Sequence, residues 1–369
     1  MIGCGNFARR QHLPNLAAIP EARIRMVCDT HAPTAETVAR AFGATPSTDL
    51  APILSNPTIE AVIVAVPDPF QAATALACIE AGKHVYVEKP AATCADDFTR
   101  LVAARNRAKV HIAVGFNKRF APAYVAARAA LAETTGPRML SLRMADDAWR
   151  WGATYAPGAL LRHDLCHLFD LAAWFAGSPV VSVSCAGPRP DADALLLTCA
   201  DGTVAVVLGS GHATMDLPKE RTEIFAGRAT VTIDDFVEVR TFGLPGSPAR
   251  QTFPGRAARP EDQPWVDRIG DRGIEGMLEV RRTLWEAWEQ DRSVPPPVIP
   301  NFLRDQGWAD AMRRFVTGIR QTTPLPHAGL EDALQAALIS DAALASRRTA
   351  SPIAIPLANG GQPRAHPTE

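Results

Sequence analysis

Over its first 120 residues the chain alternates short apolar runs with helical spacings. Arg23–Asp29 is one such run, and Ile59–Val66 (IEAVIVAV) is continuous and β-branched. Runs without polar alternation suit parallel strands buried on both faces. Lys83–Val87 and His111–Phe116 repeat the signal. Between them Pro33–Phe42, Phe70–Ala81 and Asp96–Arg107 carry helical spacing, the first opened by a proline and the second stopped by Gly82. Strand–helix alternation with short connections predicts an α/β fold, a doubly wound parallel sheet over residues 1–120.

The rhythm then changes. A helix over Ala121–Ala132 precedes a strand at Arg138–Ala145 and a helix around Asp164–Ala176. Four strand-like stretches follow between Val180 and Arg240, with Gly202 and Gly227 at turns. Neighbouring strands of this kind predict a large, mostly antiparallel open sheet in a second, α+β domain over residues 121–356. Gly243–Pro264, rich in Pro, Gly and Arg, reads as a long surface loop. Helices are expected at Gly276–Gln290, Leu303–Arg320 and Leu330–Arg347, and disorder over the polar tail 357–369.

Composition narrows the function classes. With 38 Lys plus Arg against 39 Asp plus Glu, the near-zero net charge gives no electrostatic reason to expect nucleic acid or an anionic membrane as partner. The longest apolar runs, such as Ala61–Pro67, are strand-sized and far short of a membrane span. The 7 cysteines are scattered and odd in number, without a C-x-x-C. They read as reduced thiols of a cytoplasmic protein rather than a disulfide framework.

Gly3-Cys4-Gly5-Asn6-Phe7-Ala8 reads G-x-G-x-x-A, and Arg9–Ala18 can follow it as a helix. Such a turn presents backbone N–H groups and a helix N-terminus to a dinucleotide pyrophosphate. Asp29 closes the next strand, where a carboxylate accepts hydrogen bonds from ribose hydroxyls and repels a 2′-phosphate. Thr30 and His31, not arginine, come next, so NAD is favoured over NADP. The turn should follow a buried central strand, yet only Met1 and Ile2 precede it. The expectation is a truncated first strand, with further apolar residues encoded upstream.

Two other strings carry chemistry. Glu88-Lys89-Pro90 follows the strand KHVYV. Ligands of parallel sheets lie at the carboxyl ends of strands, so Lys89 is placed to hydrogen-bond a substrate hydroxyl near a nicotinamide; the plainer reading is a solvated lysine in a turn. In Arg162-His163-Asp164-Leu165-Cys166-His167-Leu168-Phe169-Asp170, His163 and His167 share a helix face, as do His167 and Asp170. Histidine is the natural proton acceptor near neutral pH, and a carboxylate beside it steadies its charged form. The same H-D-x-x-H string also resembles the H-E-x-x-H zinc helix, or is simply a set of helix-surface groups.

In this order the three elements resemble the Gfo/Idh/MocA family, named for glucose-fructose oxidoreductase and inositol dehydrogenase. AGKHVYVEKPAA (Ala81–Ala92) is similar to its A-G-K-H-V-x-x-E-K-P signature, VGFNKRFAP (Val114–Pro122) to its entry into the second domain, and His167-x-x-Asp170 to its catalytic helix. The resemblance implies a Rossmann domain, a substrate and oligomerisation domain, bound nicotinamide, and a homodimer or homotetramer. It implies Lys89 and His167 as catalytic groups, with Asp164 as their carboxylate. Cofactor contacts fall on Gly3, Gly5, Asn6, Phe7, Ala8, Asp29, Val66, Pro67, Glu88, Lys89 and Asn117. Substrate contacts fall on Arg119, His163, Asp170 and the Trp149-Arg150-Trp151 string. Those tryptophans offer faces for a sugar ring and Arg150 a fork for a carboxylate or phosphate, though core or subunit-interface roles suit them equally. Two positions depart from the family: His163 stands where many members carry aspartate, and Gln71 replaces a usual histidine.

The reading is an NAD-dependent dehydrogenase acting on a sugar, cyclitol or sugar-acid hydroxyl. Its rivals are an NAD-dependent glycoside hydrolase of the same fold, a ligand-sensing relative without catalysis, and a zinc enzyme.

Overall fold

Each strand expected over the first 120 residues forms, though shorter than its apolar run. The computed structural model describes residues 1–146, 158–257, 260–293 and 301–356. The chain divides into two compact units, Met1–Asn117 with Gly307–Ala337, and Lys118–Gln306 with Leu338–Glu369.

In the first unit β1 (Met26–Cys28) pairs in parallel with β2 (Thr45–Ser47), and β3 (Ala61–Val64), β4 (His84–Val87) and β5 (Ile112–Val114) form a second parallel set. β2 was not expected, because Thr-Pro-Ser carries no apolar pattern. Ile2 bridges both Cys28 and Val64, so it joins the two sets. Cys28 N donates to Met1 O at 2.8 Å and Ala65 N to Ile2 O at 2.9 Å. The glycine turn therefore does follow a buried, doubly paired stretch at the centre of the sheet.

Helices Ala32–Phe42, Asp68–Glu80 and Ala95–Ala108 match the three expected ones within two residues. The helix expected at Leu303 begins instead at Trp308. Residues Asn301–Leu303 make a 3-10 turn, and Gly307, at φ 86°, breaks the chain before the helix starts. This helix packs on the first unit, where Phe315 meets Tyr86 edge-on at 5.6 Å.

The second unit is built on nine strands. They are β6 (Arg138–Ala145), β7 (Val180–Arg189), β8 (Ala192–Cys199), β9 (Val204–Ser210), β10 (Glu220–Ala226), β11 (Ala229–Asp234), β12 (Glu238–Phe242), β13 (Arg250–Thr252) and β14 (Ile353–Ala354). Their order is β13-β12-β11-β10-β6-β9-β8-β7-β14, antiparallel throughout except for β6 beside β9. Burial alternates along β8, β9, β10 and β11, as a sheet covered on one face requires. Helices Pro122–Ala130 and Cys166–Ala176 pack on the covered face.

Between Val180 and Phe242 six strands replace the four expected. Gly202 and Gly227 do occupy left-handed turns, at φ 90° and 61°. The turn at Asp235 and Phe236 is also left-handed without glycine, at φ 44° and 69°, so no sequence punctuation announces it. The stretch read as a long loop contains β13, which pairs with β12. No helix of the described residues is long and apolar enough to cross a membrane.

Candidate active site

The carboxyl ends of the parallel strands collect the first group of expected residues. Gly3 follows Ile2, Asp29 follows β1, Val66 and Pro67 follow β3, and Glu88 and Lys89 follow β4. Gly3 has φ +84°, and a Cβ there would lie 2.2 Å from Ala65 O, so both conformation and space demand glycine. Gly5 has open space where a side chain would project. Cys4 N donates to Asp29 Oδ2 at 2.9 Å and His31 N to Asp29 Oδ1 at 3.0 Å, so the strand-end carboxylate holds the glycine turn. Burial, reinforced by Asp29, pushes the Cys4 thiol up to about 11, which leaves it a protonated packing group. Asn6 accepts from Arg9 Nη2 at 2.7 Å, Phe7 meets Trp308 edge-on at 5.9 Å, and Ala8 is buried at the start of a π turn, Ala8–His12. The open face at Gly5, the helix start behind it and the Asp29 carboxylate fit a dinucleotide.

The turn after β4 is held by the main chain. Glu88 N donates to Val64 O at 2.9 Å, and Gln71 Nε2 donates to Glu88 O at 3.1 Å. Gln71, at the position where the family usually has histidine, is thus a buried brace for the Glu88–Lys89 turn. The Lys89–Pro90 peptide is cis. Asn117, buried, ends this unit's first segment.

In the second unit His163, Asp164 and His167 lie along a π turn, Leu161–Leu165, that runs into the helix Cys166–Ala176. All three are partly buried, while Leu165, Leu168 and Phe169 are wholly buried. π turns widen the helical spacing and recur at functional sites, so the simple i, i+4 register of His163 and His167 is altered here. Gly209 on β9 lets this helix approach the sheet, since a Cβ there would come within 2.4 Å of Leu165.

Arg119 and Asp170 were expected near substrate. The structure turns them to each other: Arg119 Nε and Nη2 reach Asp170 Oδ2 and Oδ1 at 2.8 and 2.5 Å, with side chains 3% and 1% exposed. This bidentate pair braces the histidine-bearing helix. Trp149, Arg150 and Trp151 lie outside the described residues. Among the described residues no group of three or more His, Cys, Asp or Glu side chains gathers as a metal site.

Two residues escaped the sequence reading. Lys219 Nζ sits 2.6 Å from Asp146 Oδ2. Burial disfavours its ammonium, but Asp146, then Asp164 and Glu220, outweigh that and hold its pKa above the ordinary lysine value. A fixed positive charge thus stands near Asp164. The second, His12, contacts Glu88. A lone Lys or His without a motif gave no signal for either.

Comparison with known proteins relates the chain to NAD-binding oxidoreductases. Residues 1–116 match the family model GFO_IDH_MocA, described as an oxidoreductase family with an NAD-binding Rossmann fold. Inositol 2-dehydrogenase 2 of Saccharopolyspora erythraea is 28% identical over 308 residues, 78% of this chain and 88% of that protein. Inositol 2-dehydrogenase 1 of the same organism is 30% identical over 233 residues, 58% of this chain and 68% of that protein. The fold is shared with the crystal structure of myo-inositol dehydrogenase from Lactobacillus casei in complex with NAD(H) and myo-inositol, at TM-score 0.71 and 19% identity, covering 98% and 97% of the two chains. With its glycine-loop unit matched by the family model and a 30% identical relative matched over two thirds of its length, the chain belongs to the Gfo/Idh/MocA family of oxidoreductases.

Proposed function

We propose that this NAD-dependent oxidoreductase acts on a ring hydroxyl of a cyclitol or sugar, or on the corresponding carbonyl in reverse. The observation that carries the reading is the single strand-end edge that assembles the glycine turn, Asp29 and Lys89. The names of the inositol dehydrogenase relatives support the substrate class. NAD, which the glycine turn and Asp29 would hold, would supply the hydride acceptor for the carbinol carbon. The Lys89 ammonium donates a hydrogen bond to the oxygen being oxidised and stabilises its growing negative charge. His167 takes the hydroxyl proton. Asp164 supplies the carboxylate that steadies the imidazolium, with Lys219 as its cationic neighbour. Asp29 selects NAD, since a 2′-phosphate would meet its charge. A screen of cyclitols, sugars and sugar acids with NAD and NADP, followed by the absorbance of reduced nicotinamide, tests this. Turnover of a cyclitol or sugar with NAD is expected; release of sugar from a chromogenic glycoside without net NAD reduction would replace it with the hydrolase reading.

The assembly we favour is a homodimer or homotetramer joined through the open face of the large sheet. Phe242, Phe225 and Met139 lie in one cross-strand row, linked through Thr230, and Val206 and Leu196 pair in the next. Met139 is 56% and Phe242 54% exposed. An apolar face of this extent marks an interaction surface. The cytoplasm suits the cysteines, which form no disulfide among the described residues. Burial pushes Cys78 and Cys199 up to about 12, so these thiols stay protonated and unreactive.

A further inference from the structure

A buried imidazole–carboxylate contact joins the glycine-turn helix to the turn that carries Lys89. His12 ends the π turn Ala8–His12, and its Nε2 lies 2.9 Å from Glu88 Oε1, with side chains 2% and 10% exposed. The imidazole is fixed edge-on against Phe7 at 5.0 Å and Tyr86 at 5.6 Å. Glu88 Oε2 accepts from Lys89 N at 3.2 Å. The carboxylate occupies space that Gly115 leaves open, since a Cβ there would stand 2.8 Å from both oxygens. The residue after β5 must therefore be glycine for the carboxylate to sit where it does.

The contact itself is close but not in line. His12 Nε2 and Glu88 Oε1 do not meet as a hydrogen bond, and neither has another hydrogen-bond partner among the described residues. Buried polar atoms left in this condition are costly. A small rotation of ring or carboxylate aligns them, and both lie on elements that a dinucleotide would touch. Once aligned, an N–H at His12 Nε2 donates to Glu88 Oε1.

We propose that His12 is a positioning residue for Lys89: aligned on Glu88, it ties the pyrophosphate-binding turn to the backbone of the lysine turn. The assignment rests on the reading of Lys89 as the group that meets substrate oxygen. His12 acts through Glu88 and touches no substrate. Glutamine places an amide N–H where Nε2 stands and should replace it; leucine fills the space without a donor.

The test compares wild type, His12→Gln, His12→Leu and Glu88→Gln by two measurements, with thermal melting as a check on folding. The first is a brief acetic anhydride pulse without cofactor, with Lys89 acetylation mapped by mass spectrometry against Lys109 as internal reference. Lys89 labelling should change at least about threefold in His12→Leu and Glu88→Gln and stay at the wild-type rate in His12→Gln, because a donor acting on geometry is restored by the donor alone. The second is steady-state kinetics on a substrate from the screen. His12→Leu should lose about 10- to 100-fold in kcat with little change in substrate KM, as misplacement of a reacting group does. Equal Lys89 labelling in all four folded proteins, or His12→Gln as impaired as His12→Leu, overturns the proposal. Absence of turnover in wild type would refute the dehydrogenase reading alone, since the labelling comparison stands without it.

Discussion

In the first unit Gly3, Asp29, Val66 and Lys89 each follow a parallel strand or bridge by a residue or two, and main-chain hydrogen bonds hold Gly3, Asp29 and the neighbours of the other two, Ala65 and Glu88. In the second unit His163, Asp164 and His167 ride on a helix and sheet locked by buried charge. Arg119 grips Asp170, Lys118 meets Glu220 at 2.7 Å, and Asp235 takes Arg281 and Arg304, each at 2.7 Å. The contrast has a mechanical consequence. Positions set chiefly by main chain fail with a distorted backbone, or with loss of the few side chains, such as Gln71, that brace it. Positions set by buried ion pairs fail when one side chain loses its charge.

The largest expected effect follows from that. Asp235→Asn leaves two buried guanidinium groups facing an amide, and should cost about 3–5 kcal/mol in denaturant unfolding. A loss below about 1 kcal/mol, the scale of an exposed pair, would break the contrast. The pH dependence has a definite sign. Burial raises the Asp235 carboxyl, but Arg281 and Arg304 outweigh it, so the folded-state value lies below the ordinary one. Its contribution is present above the unfolded value of about 4 and is lost as pH falls through the lowered native value. Asp235→Asn should therefore flatten the acid limb of stability against pH.

A backbone change in the first unit is next. Gly3→Ala places a side chain at φ +84°, 2.2 Å from Ala65 O. The left-handed conformation alone costs about 1–2 kcal/mol, and the displaced turn should weaken NAD binding in titration calorimetry. Unchanged NAD affinity would show that the turn is not fixed by its backbone.

The smallest effect on the protomer is expected on the open sheet face. Met139→Glu should alter protomer stability by no more than about 0.5 kcal/mol, while sedimentation should show the proposed assembly of the wild type lost. A wild-type assembly in that variant would place the subunit contact elsewhere.

The same contrast decides what was legible in the sequence. The strand-end placement could be read because the glycine turn, Asp29 and Glu88-Lys89-Pro90 are short strings in fixed relation to strand signals. The histidine helix was legible for its catalytic candidates but not for its support. Asp170 lies 51 residues from Arg119, and nothing local says that the two spend their hydrogen bonds on each other. Lys219 and His12 likewise gain meaning only from partners distant in sequence. The turn at Asp235–Phe236 was silent because a left-handed conformation without glycine is imposed by packing rather than by local preference. The edge strands β13 and β14 are too short for period-two alternation to register.

The most direct test of the central claim is the production of reduced nicotinamide from NAD and the best cyclitol or sugar substrate by wild type, Lys89→Ala and His167→Ala. Wild type should turn over, both variants should lose about 10²- to 10⁴-fold in kcat, and NAD affinity should stay near wild type in all three. Wild-type kcat in either folded variant would contradict the account.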